Sequence, residues 1–214
     1  KEIEQLCEIA QPDFGIITNI GKAHLEGFGS FEGVIKTKNE LYQYIKTKKK
    51  KKEAKIFVNY DNDLLVELSE KIPAIYYGSK SKTQNSEPKI QGSKLETQNP
   101  YLSIEWNNNK INTNLVGGYN FENVMAAIAV GCYFNIEEDL IIKALENYLP
   151  TNNRSQYIKT DKNEVVMDAY NANPVSMSNA IHNFKNICDN NHLLILGDMR
   201  ELGNESSNEH LEIL

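Results

Sequence analysis

The spacing of apolar residues along the first half of the chain predicts helices alternating with short strands. Runs at intervals of three and four residues indicate amphipathic helices, and short β-branched runs bounded by polar residues indicate buried strands. The predicted elements are a helix over 3–10, a strand over 14–17, a helix from Phe31 to Ile45 capped by Ser30, a strand over 56–59, a helix capped by Asp61 that reaches Lys71, and a strand over 74–77.

A β-hairpin and two helices are predicted next. Residues 101–106 alternate between apolar and polar positions, Asn107-Asn108-Asn109 makes a turn, and the pattern returns over 111–116. Gly117-Gly118 opens a helix, and a second helix over 136–148 ends before Pro150. The polar stretch 78–99 is expected to hold a hairpin or loop and shows no recognisable chemistry.

A new pattern begins after residues 151–155, which have the character of a domain junction. A strand over 164–167, a helix opened by Asn173-Pro174, a strand over 193–196 and a helix from residue 205 predict a βαβ unit of a parallel sheet. Ligands bind beyond the carboxyl ends of the strands in such sheets, where Asp168 and Asp198 stand. The predicted fold class is therefore α/β.

Composition and charge narrow the possible functions. The chain has 214 residues, of which 40% are hydrophobic and 24% are charged, and its formal net charge of −6 argues against a general nucleic-acid binder. We interpret Cys7, Cys132 and Cys188 as buried free thiols of a reducing compartment. The lysine run over 46–52 is interpreted as a solvated helix end. Because the chain lacks an initiator Met and ends within a predicted helix, further residues are expected on both sides.

Several polar clusters stand where ligands commonly bind. Thr18 to Glu26 is a loop after a buried strand, whose His24 is either a metal ligand or a hydrogen-bonded loop residue. Lys38 alone would be a solvated helix lysine. Asn120 and Asn123 share one face at a helix start, where they are suited either to an adenine edge or to helix capping. Arg154 is either a salt-bridging residue or a phosphate clamp.

Two further clusters follow the predicted strands of the last third. They are Asp168-Ala169-Tyr170-Asn171-Ala172-Asn173-Pro174 and Gly197-Asp198-Met199-Arg200-Glu201-Leu202-Gly203. No phosphate-binding loop of the form G-x-x-x-x-G-K-[ST] occurs in the sequence.

Taken in this order, these clusters resemble the Mur ligases over nearly the whole chain. The resemblance implies that 1–150 is the later part of a central ATP-binding domain and that 151–214 begins a C-terminal Rossmann-like domain. It implies an ATP-dependent ligase that adds D-alanyl-D-alanine to UDP-N-acetylmuramoyl-tripeptide through an acyl phosphate in peptidoglycan synthesis. Without the phosphate-binding loop, we expect this chain to be inactive alone.

The resemblance also assigns roles by position. His24 and a carbamylated Lys38 would hold Mg²⁺, Asn120 and Asn123 would contact the adenine of ATP, and Arg154 would contact phosphate. Asp168 would contact the ribose, and Tyr170 would help to hold the nucleotide. Asn171, Asn173, Asp198 and Glu201 are weaker candidates for the incoming dipeptide. Where relatives often have glycine before the arginine, this chain has Asn153, which tolerates a left-handed backbone.

Two other functions remain open. One is a Mur or folylpolyglutamate-type ligase that adds a single amino acid, and the other is a non-catalytic nucleotide-binding remnant. No apolar run approaches the roughly 20 residues that span a bilayer, so no membrane insertion is expected. We expect a cytoplasmic monomer that does not bind nucleic acid.

Overall fold

The computed structural model of the protein describes residues 2–22, 25–47, 54–79, 90–96, 100–151, 153–187 and 192–213. The helices are α1 (Glu2–Ala10), α2 (Leu25–Phe28), α3 (Phe31–Thr47), α4 (Asp63–Leu68), α5 (Phe121–Tyr133), α6 (Glu138–Asn147), α7 (Pro174–Ile187) and α8 (Ser206–Ile213). The strands are β1 (Phe14–Ile16), β2 (Lys55–Asn59), β3 (Ala74–Ser79), β4 (Ile90–Leu95), β5 (Tyr101–Trp106), β6 (Asn109–Val116), β7 (Gln156–Lys159) and β8 (Glu164–Met167).

A six-stranded sheet in the order β1-β2-β3-β4-β5-β6 forms the centre of the molecule. Strands β1 to β4 pair in parallel, and β4, β5 and β6 pair antiparallel. Strand β4 lies within the polar stretch for which only a hairpin or loop was predicted. Residues 80–89 and 97–99 of that stretch lie outside the described residues.

The sheet separates two apolar cores because successive strand side chains point to opposite faces. Phe57 of β2 belongs to the core formed with α5 and α6, whereas its neighbours Ile56 and Val58 belong to the core formed with α3 and α4. Met199 and Leu202, from the last part of the chain, are buried in this second core. The C-terminal segment therefore contributes to the same core as α3 and α4.

Local signals in the sequence predict several boundaries correctly. The Ser30 hydroxyl accepts a hydrogen bond from the Gly33 amide at 3.1 Å, as expected of an N-cap. Asn107 and Asn108 adopt φ values of 48° and 63° in the hairpin turn, a conformation that asparagine tolerates. The predicted cap Asp61 is wrong, because Asn62 caps α4 through the Leu65 amide at 3.1 Å. Asp61 instead accepts hydrogen bonds from the amide and hydroxyl of Ser79.

The predicted parallel βαβ unit of the last third is wrong in its strand pairing. Strand β8 pairs antiparallel with β7, a strand that was not predicted. Residues 192–200 form no regular element, and Leu193 and Ile195 are 77% and 88% exposed. An apolar run becomes a strand only where a neighbouring backbone supplies hydrogen bonds, and the described residues place no strand beside it.

Two remaining sequence predictions concern cysteines and membranes. Cys7 is buried and Cys132 is half-buried, neither is in a disulfide, and burial raises the pKa of the Cys132 thiol. Cys188 lies outside the described residues. Within the described part of the chain, no helix is both long and apolar enough to cross a bilayer.

Candidate functional site

Lys38 lies on α3 beside the loop that follows β1. Its ammonium group donates a hydrogen bond to the Asn19 carbonyl oxygen at 3.0 Å. Partial burial lowers the pKa of Lys38, because removal from water disfavours the charged form. The structure therefore places Lys38 against the loop that the sequence singled out. His24 of the same loop lies outside the described residues.

A cleft of about 420 Å³ opens between this loop and the C-terminal segment. Its walls are formed by residues of the loop, of the start of α3, of α7 and of α8, among them Gly21, Phe31, Val175, Ser178 and Glu212. A Cβ atom on Gly21 would approach Val175 to 3.1 Å, so the glycine permits close contact with α7. Across the cleft, the Lys22 ammonium meets the Glu209 carboxylate at 2.6 Å.

The asparagine pair lies at the start of α5, where the 3₁₀ turn Gly118–Asn120 ends. Asn120 is buried and donates to the Val116 carbonyl at 2.8 Å, with no side-chain capping bond. The Asn123 side-chain amide donates to the side-chain Oδ1 of Asn120 at 3.2 Å, and Asn123 is itself exposed. The capping alternative for Asn120 is therefore wrong. Asn120 orients Asn123, whose amide faces solvent.

The junction holds Arg154 in a strained backbone. Asn153 and Ser155 have φ values of 55° and 49°, so left-handed residues flank the arginine on both sides. The prediction that Asn153 keeps this turn is confirmed. The Arg154 guanidinium lies over the Tyr170 ring, 3.7 Å from its centroid, in a cation–π contact.

Asp168 follows β8 and faces the junction. Its carboxylate accepts hydrogen bonds from the Ser155 amide at 3.4 Å and the Tyr119 hydroxyl at 3.5 Å. Desolvation raises the pKa of Asp168 above its usual value, and these donors together with Arg154 act in the opposite direction. Tyr119 and Ser155 join the central segment to the junction, and the sequence analysis did not identify either residue as a candidate.

The four residues that were predicted to contact the incoming dipeptide lie in two different parts of the structure. Asn173 caps α7, since its side-chain oxygen accepts from the Ser176 amide at 3.0 Å, and the Asn171 side chain accepts from the Ala172 amide at 2.9 Å. Asp198 contacts His210 at 3.0 Å between side chains. The Glu201 carbonyl oxygen accepts a hydrogen bond from the Glu26 amide at 3.1 Å. Their proposed role toward a dipeptide stays a prediction.

Helix α7 links the loop after β1 to the turn before α5. Val175 near its start contacts Gly21, and a Cβ on Gly117 would approach Asn183 to 3.1 Å. These two positions on α7 are separated by about 12 Å, given a rise of about 1.5 Å per residue. The loop after β1 and the turn before α5 therefore lie beside two positions of α7 that are eight residues apart.

A metal site is incomplete in the described part of the chain. It contains no group of three or more His, Cys, Asp or Glu side chains that is placed to hold a metal ion. An ammonium group has no lone pair for a metal, so the unmodified Lys38 is not a ligand. The described residues therefore do not by themselves form a magnesium site.

Family models identify both parts of this arrangement. A model of the Mur ligase middle domain matches residues 1–131, and a model of the Mur ligase, glutamate ligase domain matches residues 153–214. The chain belongs to the Mur ligase family. The resemblance noted from the sequence and the expected α/β class are both confirmed.

Two individual relatives show which members of the family this chain is similar to. The UDP-N-acetylmuramoyl-tripeptide–D-alanyl-D-alanine ligase of Bacillus subtilis (strain 168) is 31% identical over 213 residues, covering 99% of this chain and 45% of that enzyme. The enzyme of the same name from Haemophilus influenzae is 30% identical over 217 residues, with coverages of 99% and 45%. The chain thus spans slightly less than half the length of these relatives.

Solved structures show the same fold. MurF from Acinetobacter baumannii superposes with a TM-score of 0.81 at 23% identity, covering 99% of this chain and 45% of that one. MurF ligase from Thermotoga maritima, in complex with ADP, gives a TM-score of 0.78 at 23% identity, with coverages of 99% and 48%. The fold is therefore the mixed α/β fold of the middle and C-terminal domains of Mur ligases.

Proposed function

We propose that the complete protein containing this chain is an ATP-dependent amide-bond ligase of peptidoglycan synthesis. It joins D-alanyl-D-alanine to UDP-N-acetylmuramoyl-tripeptide, in agreement with the names of the relatives that match across the chain. The observation that carries the proposal is the junction, where Asn120 and Asn123 stand beside Arg154 and Asp168. We place the boundary between the two domains at residues 150 and 151.

The nucleotide would lie along α7, with its base at the junction and its phosphates toward the loop after β1. The exposed Asn123 amide offers the donor and acceptor that an adenine edge requires. The Asp168 carboxylate suits ribose hydroxyls, and Arg154, held by Tyr170, suits a phosphate. The two ends of the site, about 12 Å apart along the helix, suit an extended nucleoside triphosphate.

Lys38 would contribute at the phosphate end. Its lowered pKa favours the neutral amine, which is the form that adds CO₂ and releases a proton to give a carbamate. The carbamate would then supply oxygen ligands beside His24 for the magnesium ion that accompanies ATP. Magnesium, when bound, would offset the repulsion between substrate carboxylate and phosphate.

The C-terminal segment would bind the acceptor and exclude water. Because Met199 and Leu202 pack into the second core, the C-terminal segment would stay docked beside the loop and would close over a bound nucleotide. Such closure protects an acyl phosphate from hydrolysis until the dipeptide amine attacks it. Asn171, Asn173, Asp198 and Glu201 are the proposed acceptor-side residues. Since ATP is a cytoplasmic metabolite, we place the reaction in the cytoplasm, and we infer that the enzyme acts as a monomer.

The test is ATP-dependent phosphate release by the complete protein with UDP-N-acetylmuramoyl-tripeptide and alternative acceptors. Release that requires D-alanyl-D-alanine supports the proposal. Release with a single amino acid would assign the protein to another branch of the family. Nucleotide binding without release for any acceptor would leave a non-catalytic nucleotide-binding protein.

A further inference from the structure

A continuous chain of hydrogen bonds crosses the junction from Asn123 to Asp168. Asn123 donates to Asn120 at 3.2 Å, and Asn120 donates to the Ser155 hydroxyl oxygen at 3.3 Å. The hydroxyl oxygens of Ser155 and Tyr119 lie 2.6 Å apart. Tyr119 then reaches the Asp168 carboxylate at 3.5 Å. Ser155 is buried, so water has little access to the bonds that its hydroxyl group makes.

The donor-to-acceptor direction of this series of hydrogen bonds is determined by the groups at its two ends. An ionised carboxylate only accepts hydrogen bonds, so the Tyr119 proton points to Asp168. The Tyr119 oxygen is then free to accept the Ser155 proton, and the Ser155 oxygen accepts from Asn120. All donors therefore point the same way, an arrangement in which neighbouring bonds polarise and strengthen one another.

The same two hydroxyls hold the strained backbone around Arg154. Ser155 has a φ of 49°, a conformation that costs serine energy unless its surroundings fix it. Its amide and hydroxyl are both engaged, by Asp168 and by Tyr119. Without these contacts, the turn would relax and Arg154 would lose its fixed position over Tyr170.

We propose that Tyr119 and Ser155 are positioning residues that align the adenine-side amides with Asp168 and Arg154 across the domain junction. This inference rests on the proposed function, because it assumes that the aligned groups bind ATP. Neither hydroxyl contacts the nucleotide in this scheme. Each acts by fixing the geometry of residues that do.

The experiment uses Tyr119→Phe, Ser155→Ala and the double variant in the complete protein. ADP affinity is measured by calorimetry, and kcat and KM are measured separately for ATP and for the dipeptide. We expect each single variant to weaken ADP binding and raise KM for ATP about five- to tenfold, with KM for the dipeptide unchanged. Because both hydroxyls belong to the same series of hydrogen bonds, the double variant should bind ADP only slightly more weakly than either single variant.

Two controls separate positioning from folding. Tyr148→Phe removes a hydroxyl from a half-exposed tyrosine after α6 and should leave ADP affinity unchanged. Ser155→Gly relieves the left-handed strain and removes the hydroxyl, so it should weaken ADP binding while keeping the melting temperature near that of the unaltered protein.

The outcomes distinguish this inference from the proposed function. If the unaltered protein binds no ADP, both are overturned. If it binds ADP and the Tyr119 and Ser155 variants bind it equally well, only the positioning role is overturned. Independent, additive losses, or an equal rise of both KM values, would also overturn it, because either result indicates a general structural effect.

Discussion

Lys22 and Glu209 form an ion pair that joins the loop after β1 to α8, with 2.6 Å between ammonium nitrogen and carboxylate oxygen. The glutamate is buried, while about half of the lysine side chain is exposed. The hydrogen bond and charge of Glu209 raise the pKa of Lys22. The pair therefore contributes stability below the ordinary lysine pKa of 10.5 and loses it as pH rises through the raised value.

Replacing Glu209 with Gln should loosen the contact between the two segments. The substitution keeps the shape of the side chain but replaces its short charge-assisted hydrogen bond to Lys22 with a weaker neutral one. We expect a lower melting temperature and faster proteolysis near residues 197–203 in Glu209→Gln, measured by calorimetry and limited digestion. Glu164→Gln is the matched control, because its pair with Lys159 is exposed on both sides. Equal effects of the two substitutions would contradict the docking role.

Nucleotide affinity should depend on the ionisation of Asp168. The pKa of Asp168 is raised. When the solution is acidified, its carboxylate is therefore protonated at a higher pH than the carboxylate of an ordinary aspartate. We expect ADP affinity to fall through this range and Arg154→Gln to move the midpoint to still higher pH, since Arg154 lowers the pKa of Asp168. Calorimetric titrations at several pH values measure the midpoint. An unchanged midpoint in Arg154→Gln would rule out the coupling.

Asp168→Ala in the complete protein should impair ATP use without unfolding it. Asp168 belongs to neither of the two apolar cores, so its removal opens no core cavity. Steady-state rates and a melting curve test the two parts of this expectation. A normal rate would remove Asp168 from the proposed site.

Carbamylation of Lys38 should increase as pH rises toward its lowered pKa. Only the neutral amine reacts with CO₂, and burial increases the fraction of neutral amine at a given pH. Carbon NMR of the complete protein in ¹³C-labelled bicarbonate should show a carbamate signal that grows with pH. Lys38→Arg supplies the control, and a signal that persists in that variant belongs to another amine.

Gly117→Ala should disturb the junction, whereas Gly118→Ala should not. Gly117 has a φ of 94°, and a Cβ there would overlap the Tyr119 ring. A Cβ on Gly118 would meet nothing closer than the Lys94 ammonium at 3.8 Å. We expect a loss of about 1–3 kcal/mol in unfolding free energy for Gly117→Ala, measured by denaturant titration. Similar stabilities of the two variants would contradict the predicted strain.

The sequence identifies those elements whose signals are local. The asparagine turn between β5 and β6 and the Ser30 cap depend on residues within a few positions of each other, so both were predicted. The cap of α4 was assigned one residue early because Asp61 and Asn62 have similar capping preferences. Only the contact of Asp61 with Ser79, from a distant strand, excludes the aspartate.

In the candidate site, too, only the features that depend on local sequence were predicted. Its motifs were visible as clusters, and the left-handed Asn153 followed from the preference of asparagine for that conformation. The Tyr119–Ser155 and Lys22–Glu209 contacts were missed because their partners are 36 and 187 residues apart. Such pairings depend on how the domains meet, which no local pattern encodes.

The apolar run over 193–196 affects how this chain behaves in concentrated solution. Its side chains are exposed, they carry no charge, and β-branched and leucine residues pair readily with a second extended segment. Two copies of the chain could therefore associate through this exposed apolar segment by pairing as β-strands. The net charge of −6 opposes their approach at low ionic strength, and added salt screens that repulsion. Self-association of the purified chain should consequently increase with salt as well as with concentration.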